Sequence, residues 1–231
     1  MSKTTIPTGG ITADAINGTL IADDAINSEH YTDGSIDTAH VADSQITAAK
    51  TSGVGGLVLI NNTTSASSVT NVVFDEVFSS TYKNYKIIGE YTAVNSSGDT
   101  SPRFKFRTGG SSGSDLAGNE YNYHFFITPS DSTTVVNKLH TADGHCEFTT
   151  ALDEDSSRHG VRFDFTIFDP FASGRTTLSG QGRNTAQDGN CLPFNGACDI
   201  QNDSSVTGIK FYAKTGNIKD IAIKIYGIVD S

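Results

Sequence analysis

The sequence predicts an all-β protein in two parts. Residues 1–52 read as a repeat-built shaft or arm, 53–56 as a glycine linker, and 57–231 as an antiparallel β-sandwich head of jelly-roll-like type. Three observations carry that prediction. Branched apolar residues recur at every fifth position through the first part. Apolar and polar residues alternate over short runs in the second, and clusters of Gly, Asn, Asp and Ser separate those runs.

In the first part Ile6, Ile11, Ile16, Ile21, Ile26, Tyr31, Ile36, Val41 and Ile46 keep a strict five-residue interval, and Asp23, Asp33 and Asp43 mark a slower beat of ten. A period of five suits neither regular element. At ~100° per residue it smears the isoleucines around a helix, and on a strand it sends successive ones to opposite faces. The segment therefore has to turn once per repeat. Gly9-Gly10, Asn17-Gly18 and Asp33-Gly34 supply the turn chemistry. The small polar residues between the isoleucines make no core for a single chain. Three arrangements remain open. One is a homotrimeric shaft with Ile11, Ile16, Ile21, Ile26, Ile36, Val41 and Ile46 stacked near a threefold axis. The others are a single-chain pentapeptide solenoid and an extended arm laid on a partner. The shaft is favoured, because the repeats make only about two square coils and a solenoid usually needs three or more.

The head's strands follow in order. Runs at 57–60, 72–78, 85–93, 103–107, 121–127, 135–139, 146–150 and 176–180 read as short strands. At 161–167 the alternation is unbroken, which places Val161, Phe163, Phe165 and Ile167 on the core side. Ile209, Phe211 and Ala213 oppose Lys210, Tyr212 and Lys214, and Ile221, Ile223 and Ile225 oppose Ala222, Lys224 and Tyr226. The breakers stand at 95–98, 109–113, 143–144, 188–190 and 215–217. Such a series of antiparallel strands and turns reads as a sandwich.

At 231 residues the chain is long enough to bury a sizeable core. Its formal net charge of −10 argues against a phosphate-backbone binder. No apolar run approaches the ~20 residues of a spanning helix. Neither nucleic-acid binding nor membrane insertion is therefore expected. Cys146, Cys191 and Cys198 are odd in number and too few to staple a secreted domain, which points to assembly in a reducing cytosol.

Several motifs invite chemistry, and each has a plainer reading. Gly109-Gly110-Ser111-Ser112-Gly113 matches the nucleophile-elbow pattern, but loop residues follow it and a hairpin loop is expected. Asp153-Glu154-Asp155, beside Arg158 and His159, gathers its acids in one loop, where glycosidic chemistry needs two facing across a groove. His145-Cys146-Glu147 and the Cys191/Cys198 pair lack the spacing of a zinc site. A Cys191–Cys198 bridge is sterically open but disfavoured by the reducing compartment. His30 and His40 read as outward-facing rather than as metal ligands. Arg103, Lys105 and Arg107 form a basic row opposite Phe104 and Phe106, extended by Lys210, Lys214 and Lys224. That row reads as a solvated face, with anionic surface glycans as its functional alternative. No catalytic residue, metal or cofactor is assigned.

The arm reads I-T-A-D-A-I-N-G from Ile11, I-A-D-D-A-I-N-S-E-H-Y from Ile21, then D-G-S-I-D and A-H-V-A-D. It resembles the repeats of tail-fibre-type virion structural proteins of marine bacteriophages. The head's opening at 78–86 and its close at 206–212, 216–218 and 223–228 resemble the terminal domains of such proteins. The resemblance implies a homotrimeric, non-enzymatic fibre that contacts other tail or capsid proteins and attaches to the host surface. Long fibres carry an anchor ahead of the shaft, whereas this repeat starts within five residues of Met1, so the point of attachment stays open.

The leading expectation is a virion protein, assembled in the host cytoplasm and exposed on the particle, that binds a surface glycan. Loops 112–120, 153–159 and 183–190 are its candidate contacts, through Asp115, Asn119, Asp153, Arg158, His159, Arg183, Asn184 and Asp188. Their Gly, Asn and Asp content suits adaptable polar contact. A capsid-decoration or connector-bound subunit that docks by its arm is the alternative. A polysaccharide-degrading enzyme stands third.

Overall fold

The computed structural model describes residues 7, 9–12, 21, 26, 28–31, 33, 36, 39–42, 45–46, 56–94, 100–116, 118–150, 160–185 and 189–229. The chain divides into two units, Met1–Thr51 and Ser52–Ser231. In the first, Ser28–His30 forms a 3-10 turn. The described isoleucines Ile11, Ile21, Ile26, Ile36 and Ile46 are exposed, from 36% at Ile21 to 60% at Ile46. Val41 is half-buried, and Ile16 lies outside the described residues.

The second unit is an all-β domain of two antiparallel sheets, arranged as a sandwich. Its strands are β1 (Leu57–Ser65), β2 (Asn71–Phe74), β3 (Asn84–Val94), β4 (Pro102–Thr108), β5 (Ser114–Asp115), β6 (Tyr121–Ile127), β7 (Val136–Asp143), β8 (Cys146–Glu147), β9 (Val161–Phe168), β10 (Thr177–Thr185), β11 (Cys191–Ile200), β12 (Gly208–Ala213) and β13 (Asn217–Ile228). The 8-stranded sheet runs β1-β13-β3-β9-β10-β11-β6-β7. The 5-stranded sheet runs β2-β12-β4-β5, with β8 also paired to β4.

Alternation explains the layering. On β9, Val161, Phe163, Phe165 and Ile167 are buried while Arg162 and Phe168 are exposed. On β4, Phe104 and Phe106 turn inward from the opposite sheet. The two inner faces meet in an aromatic core. Phe163 stacks on Phe211 at 5.0 Å, Phe148 meets Phe165 edge-on at 5.1 Å, and Phe104 touches both Phe165 and Phe211. Each buried phenylalanine contributes roughly 1.5–3 kcal/mol by desolvation alone.

Several strands depart from the sequence reading, β10 and β11 most of all. β10 runs on through Gly180 and Gly182 to Thr185, past its expected end at Gly180. Those glycines lie directly across from Phe165 and Phe163, and the Phe165 and Phe194 rings with the facing backbone take the space a side chain would need. β11 has no counterpart among the strands read from the sequence, and it carries Pro193 and Gly196 within it. Gly196 pairs with Phe125 on one side and Gly180 on the other. Pro193 sits level with Thr128, just past β6, and accepts its N–H at 2.9 Å. The N–H that the proline lacks is thus one bond at the ladder's end.

Smaller differences have equally local causes. β2 stops at Phe74 because the chain turns at Glu76 (φ 55), although Val77 and Phe78 stay buried. β13 begins earlier than expected, through a bulge at Asp220 (φ 49) whose carboxylate accepts the Thr92 hydroxyl at 2.9 Å. Of the linker only Gly56 is described, and its carbonyl accepts the Val229 N–H at 3.0 Å.

Candidate functional site

The outward residues of the 8-stranded sheet line a groove of about 740 Å³. Its central row crosses six strands. From Lys224 on β13 the register passes to Ile88 on β3, Asp164 on β9, Gln181 on β10, Asn195 on β11 and Phe126 on β6. Neighbouring members stand one strand spacing apart, ~4.8 Å. A second row runs Ala222, Glu90, Arg162, Arg183 and Pro193. Ile88 and Phe126 are 43% and 44% exposed, large apolar surfaces beside a line of planar polar side chains. Gln181 and Asn195 are exposed as well.

The charges of the groove are arranged unevenly. Glu90 accepts from Arg162 Nε at 2.6 Å, and Asp164 pairs with Lys86 at 2.6 Å. Both acids are therefore matched. Arg183 Nη1 donates to Thr185 Oγ1 at 3.1 Å, and among the described residues no carboxylate pairs with Arg183 or Lys224. Arg183 stands directly across from Arg162.

The opposite face of the molecule corrects the expectation of a solvated basic row at Arg103, Arg107 and Lys210. Arg107 donates from Nε to Asp75 at 2.7 Å, from Nη1 to Asp115 at 2.6 Å, and to the Gly113 carbonyl. Lys210 also pairs with Asp115 and lies over the Tyr212 ring. Arg103 donates twice to Glu147, which Lys138 reaches from its other side. Burial works to raise the Asp115 and Glu147 pKa values, but the cations win. Lys210 and Arg107 hold Asp115 below the ordinary carboxylate value, and Lys138 and Arg103 do the same for Glu147. These groups tie strands together and are already engaged. Lys224, expected in the same row as Lys210 and Lys214, lies on the other sheet.

Among the described residues, the sequence-predicted contacts are spread over separate elements. Asp115 is on β5 at the edge of the smaller sheet, and Asn119 is exposed ahead of β6. Arg183 and Asn184 were expected in a loop but lie in β10. Asn184 is fully buried and donates to the Thr150 carbonyl, so it cannot touch a surface ligand. Asp153, Arg158, His159 and Asp188 lie outside the described residues. Of the described candidates, Arg183 alone lines the groove. Gln181, Asn195, Asp164, Ile88 and Phe126 were missed. Their signal was the polar half of each alternation, which says which face a residue takes but not which strand it adjoins.

The motifs resolve simply. Ser111 lies in a 3-10 turn, Gly110–Ser112, followed by β5 rather than by the helix an elbow requires. Cys191 and Cys198 sit seven residues apart along one strand, roughly 23 Å, which rules out the bridge between them. Among the described residues no group of three or more His, Cys, Asp or Glu side chains is placed to hold a metal. No described helix is long and apolar enough to cross a membrane. No family model matches the chain, and neither does any curated protein.

Proposed function

We propose that this is a homotrimeric tail-fibre-type virion protein whose jelly-roll-like head attaches to a host-surface glycan through the groove of the larger sheet. The observation that carries the binding site is the row Asp164, Gln181 and Asn195 ending on the exposed ring of Phe126. Gln181 and Asn195 offer both donors and acceptors and Asp164 offers acceptors, set one per strand to suit the hydroxyls of a chain of sugar rings, and the apolar surfaces of Phe126 and Ile88 suit the rings' C–H faces. The virion assignment rests on the arm's register and its resemblance to fibre repeats. The role is recognition and attachment, without catalysis.

A panel of bacterial surface polysaccharides probed with the full-length protein tests this reading. Binding is expected, and the double variant Gln181→Ala/Asn195→Ala should lose it while melting at the same temperature. A specific observation also favours the second reading: the exposed arm isoleucines suit docking on a neighbouring virion protein. Failure to bind any polysaccharide, together with docking onto particles that lack the protein, would replace attachment with capsid decoration.

A further inference from the structure

The total charge of the chain and the local charge of its groove have opposite sign. The formal net charge is −10, so the molecule as a whole repels polyanions. Inside the groove the balance reverses. Glu90 and Asp164 are neutralised by Arg162 and Lys86, which leaves Arg183 and Lys224 without an acidic partner among the described residues. Arg183 is held in place as well. Its Nη1 is committed to Thr185 Oγ1 at 3.1 Å, so the Nε and Nη2 edge, the one that grips an anion with two parallel N–H bonds, stays open. The neighbouring Arg162 guanidinium is pulled the other way, toward Glu90. Glu90 matches the charge of Arg162, so Arg183 is left as an unbalanced fork that a neutral ligand would not compensate.

We infer that the groove takes an acidic polysaccharide, with Arg183 reading a carboxylate or sulfate on one sugar while Gln181, Asn195 and Phe126 hold the neighbouring rings. Lys224 lies three strand steps across and two residues along from Arg183, about 16 Å away, and meets a second acidic unit further along the chain. The inference rests on the glycan reading of the groove and narrows it to one chemical class. A nucleic-acid strand is the competing polyanion. It is disfavoured because Phe126 is the one exposed aromatic among the described lining residues, where single-strand binding uses several for successive bases.

Calorimetric titration of the full-length protein decides the matter. The probes are a short oligouronate, the same oligosaccharide with its carboxyls reduced, a sulfated oligosaccharide and a single-stranded oligonucleotide. The oligouronate or the sulfated probe should bind tighter than the carboxyl-reduced one by about tenfold, the scale of one charge-assisted hydrogen bond. That preference should weaken with added salt, and the tighter of the two acidic probes tells which anion the fork reads. Arg183→Gln should remove most of the preference for the acidic probes. Lys224→Gln, at an exposed position, should cut the preference by less. Equal binding of acidic and neutral probes by the unaltered protein, with both lost in Gln181→Ala, overturns the inference and leaves the glycan reading intact. Absence of binding to every oligosaccharide overturns that reading itself. Tighter binding of the oligonucleotide than of either acidic sugar assigns the groove to the wrong class of polymer.

Discussion

Gly196 occupies a place where no side chain fits. A Cβ there would run into the His124 carbonyl and the Phe125 ring on the adjoining strand. Gly180 and Gly182 are hemmed in the same way by Phe165 and Phe194. The large rings and the missing side chains are complementary halves of one packing solution. Gly196→Ala should therefore destabilise the head by roughly 1–3 kcal/mol, as overpacking does, and each kcal/mol lowers Tm by roughly 2–4 °C in a domain of this size. Gly174 has open space around it, and Gly174→Ala should stay within about 0.5 kcal/mol. A thermal melt of the two variants separates them; equal Tm values would mean that the strand yields at Gly196. Phe148 is fully buried and touches Phe104, Phe125, Phe163, Phe165 and Phe194. Phe148→Ala should cost about 3–5 kcal/mol, read from the shift of the urea midpoint.

Among elements, the smaller sheet is laced by charge across its outer face. Asp75, Arg107, Asp115 and Lys210 connect the end of β2 to β4, β5 and β12. Lys138, Glu147 and Arg103 connect β7 of the larger sheet through β8 to β4. Because Asp115 and Glu147 are held below their ordinary pKa, the unfolded chain binds more protons than the native one as pH falls toward the depressed values. Their contribution is complete above the unfolded carboxylate value, about 4, and is lost as pH drops below it through the folded values. Urea midpoints measured from pH 7 down through that range should fall, and Glu147→Gln should flatten the fall. A variant with the same acid limb as the parent would show that Glu147 carries no linkage. The elements also show why strands that the alternation announced clearly, such as β6 and β9, were legible while β11 was not. A proline and a glycine are breakers in isolation. They become strand residues only where a neighbour's ring fills one position and a ladder's end removes the need for the other's N–H.

For the whole molecule, the described arm isoleucines are exposed on a single chain, an arrangement that a partner has to complete in either proposed reading. A trimer that buries them gains roughly 1.5–3 kcal/mol for each side chain fully withdrawn from water, against the ordering cost of the arm. Sedimentation at micromolar concentration should show a trimer, and Ile26→Asp/Ile36→Asp should yield a monomer whose head melts as before. A monomeric parent protein with an intact arm would end the trimer proposal. Three heads on one shaft would also multiply a weak groove affinity by avidity, since each further binding event is intramolecular. The monomeric variant should consequently keep its affinity for a short oligosaccharide and lose retention on a polymer-coated surface.

Sequence alone determined the all-β class of the head, the inward sides of β4, β9, β12 and β13, and the acidic character of the chain. These are local properties: a period of two assigns a face without reference to any other strand. Tertiary structure decided which outward residues meet. Lys224, Ile88, Asp164, Gln181, Asn195 and Phe126 come from six strands between positions 88 and 224, and no spacing along the chain marks them as neighbours. It also decided which charges are free. Arg107 and Arg183 look alike as basic residues on alternating strands, yet one is enclosed by two carboxylates and the other faces an open groove. The physical reason is that strand register, a non-local choice made by core packing, places every outward side chain after the inward ones have settled the pairing.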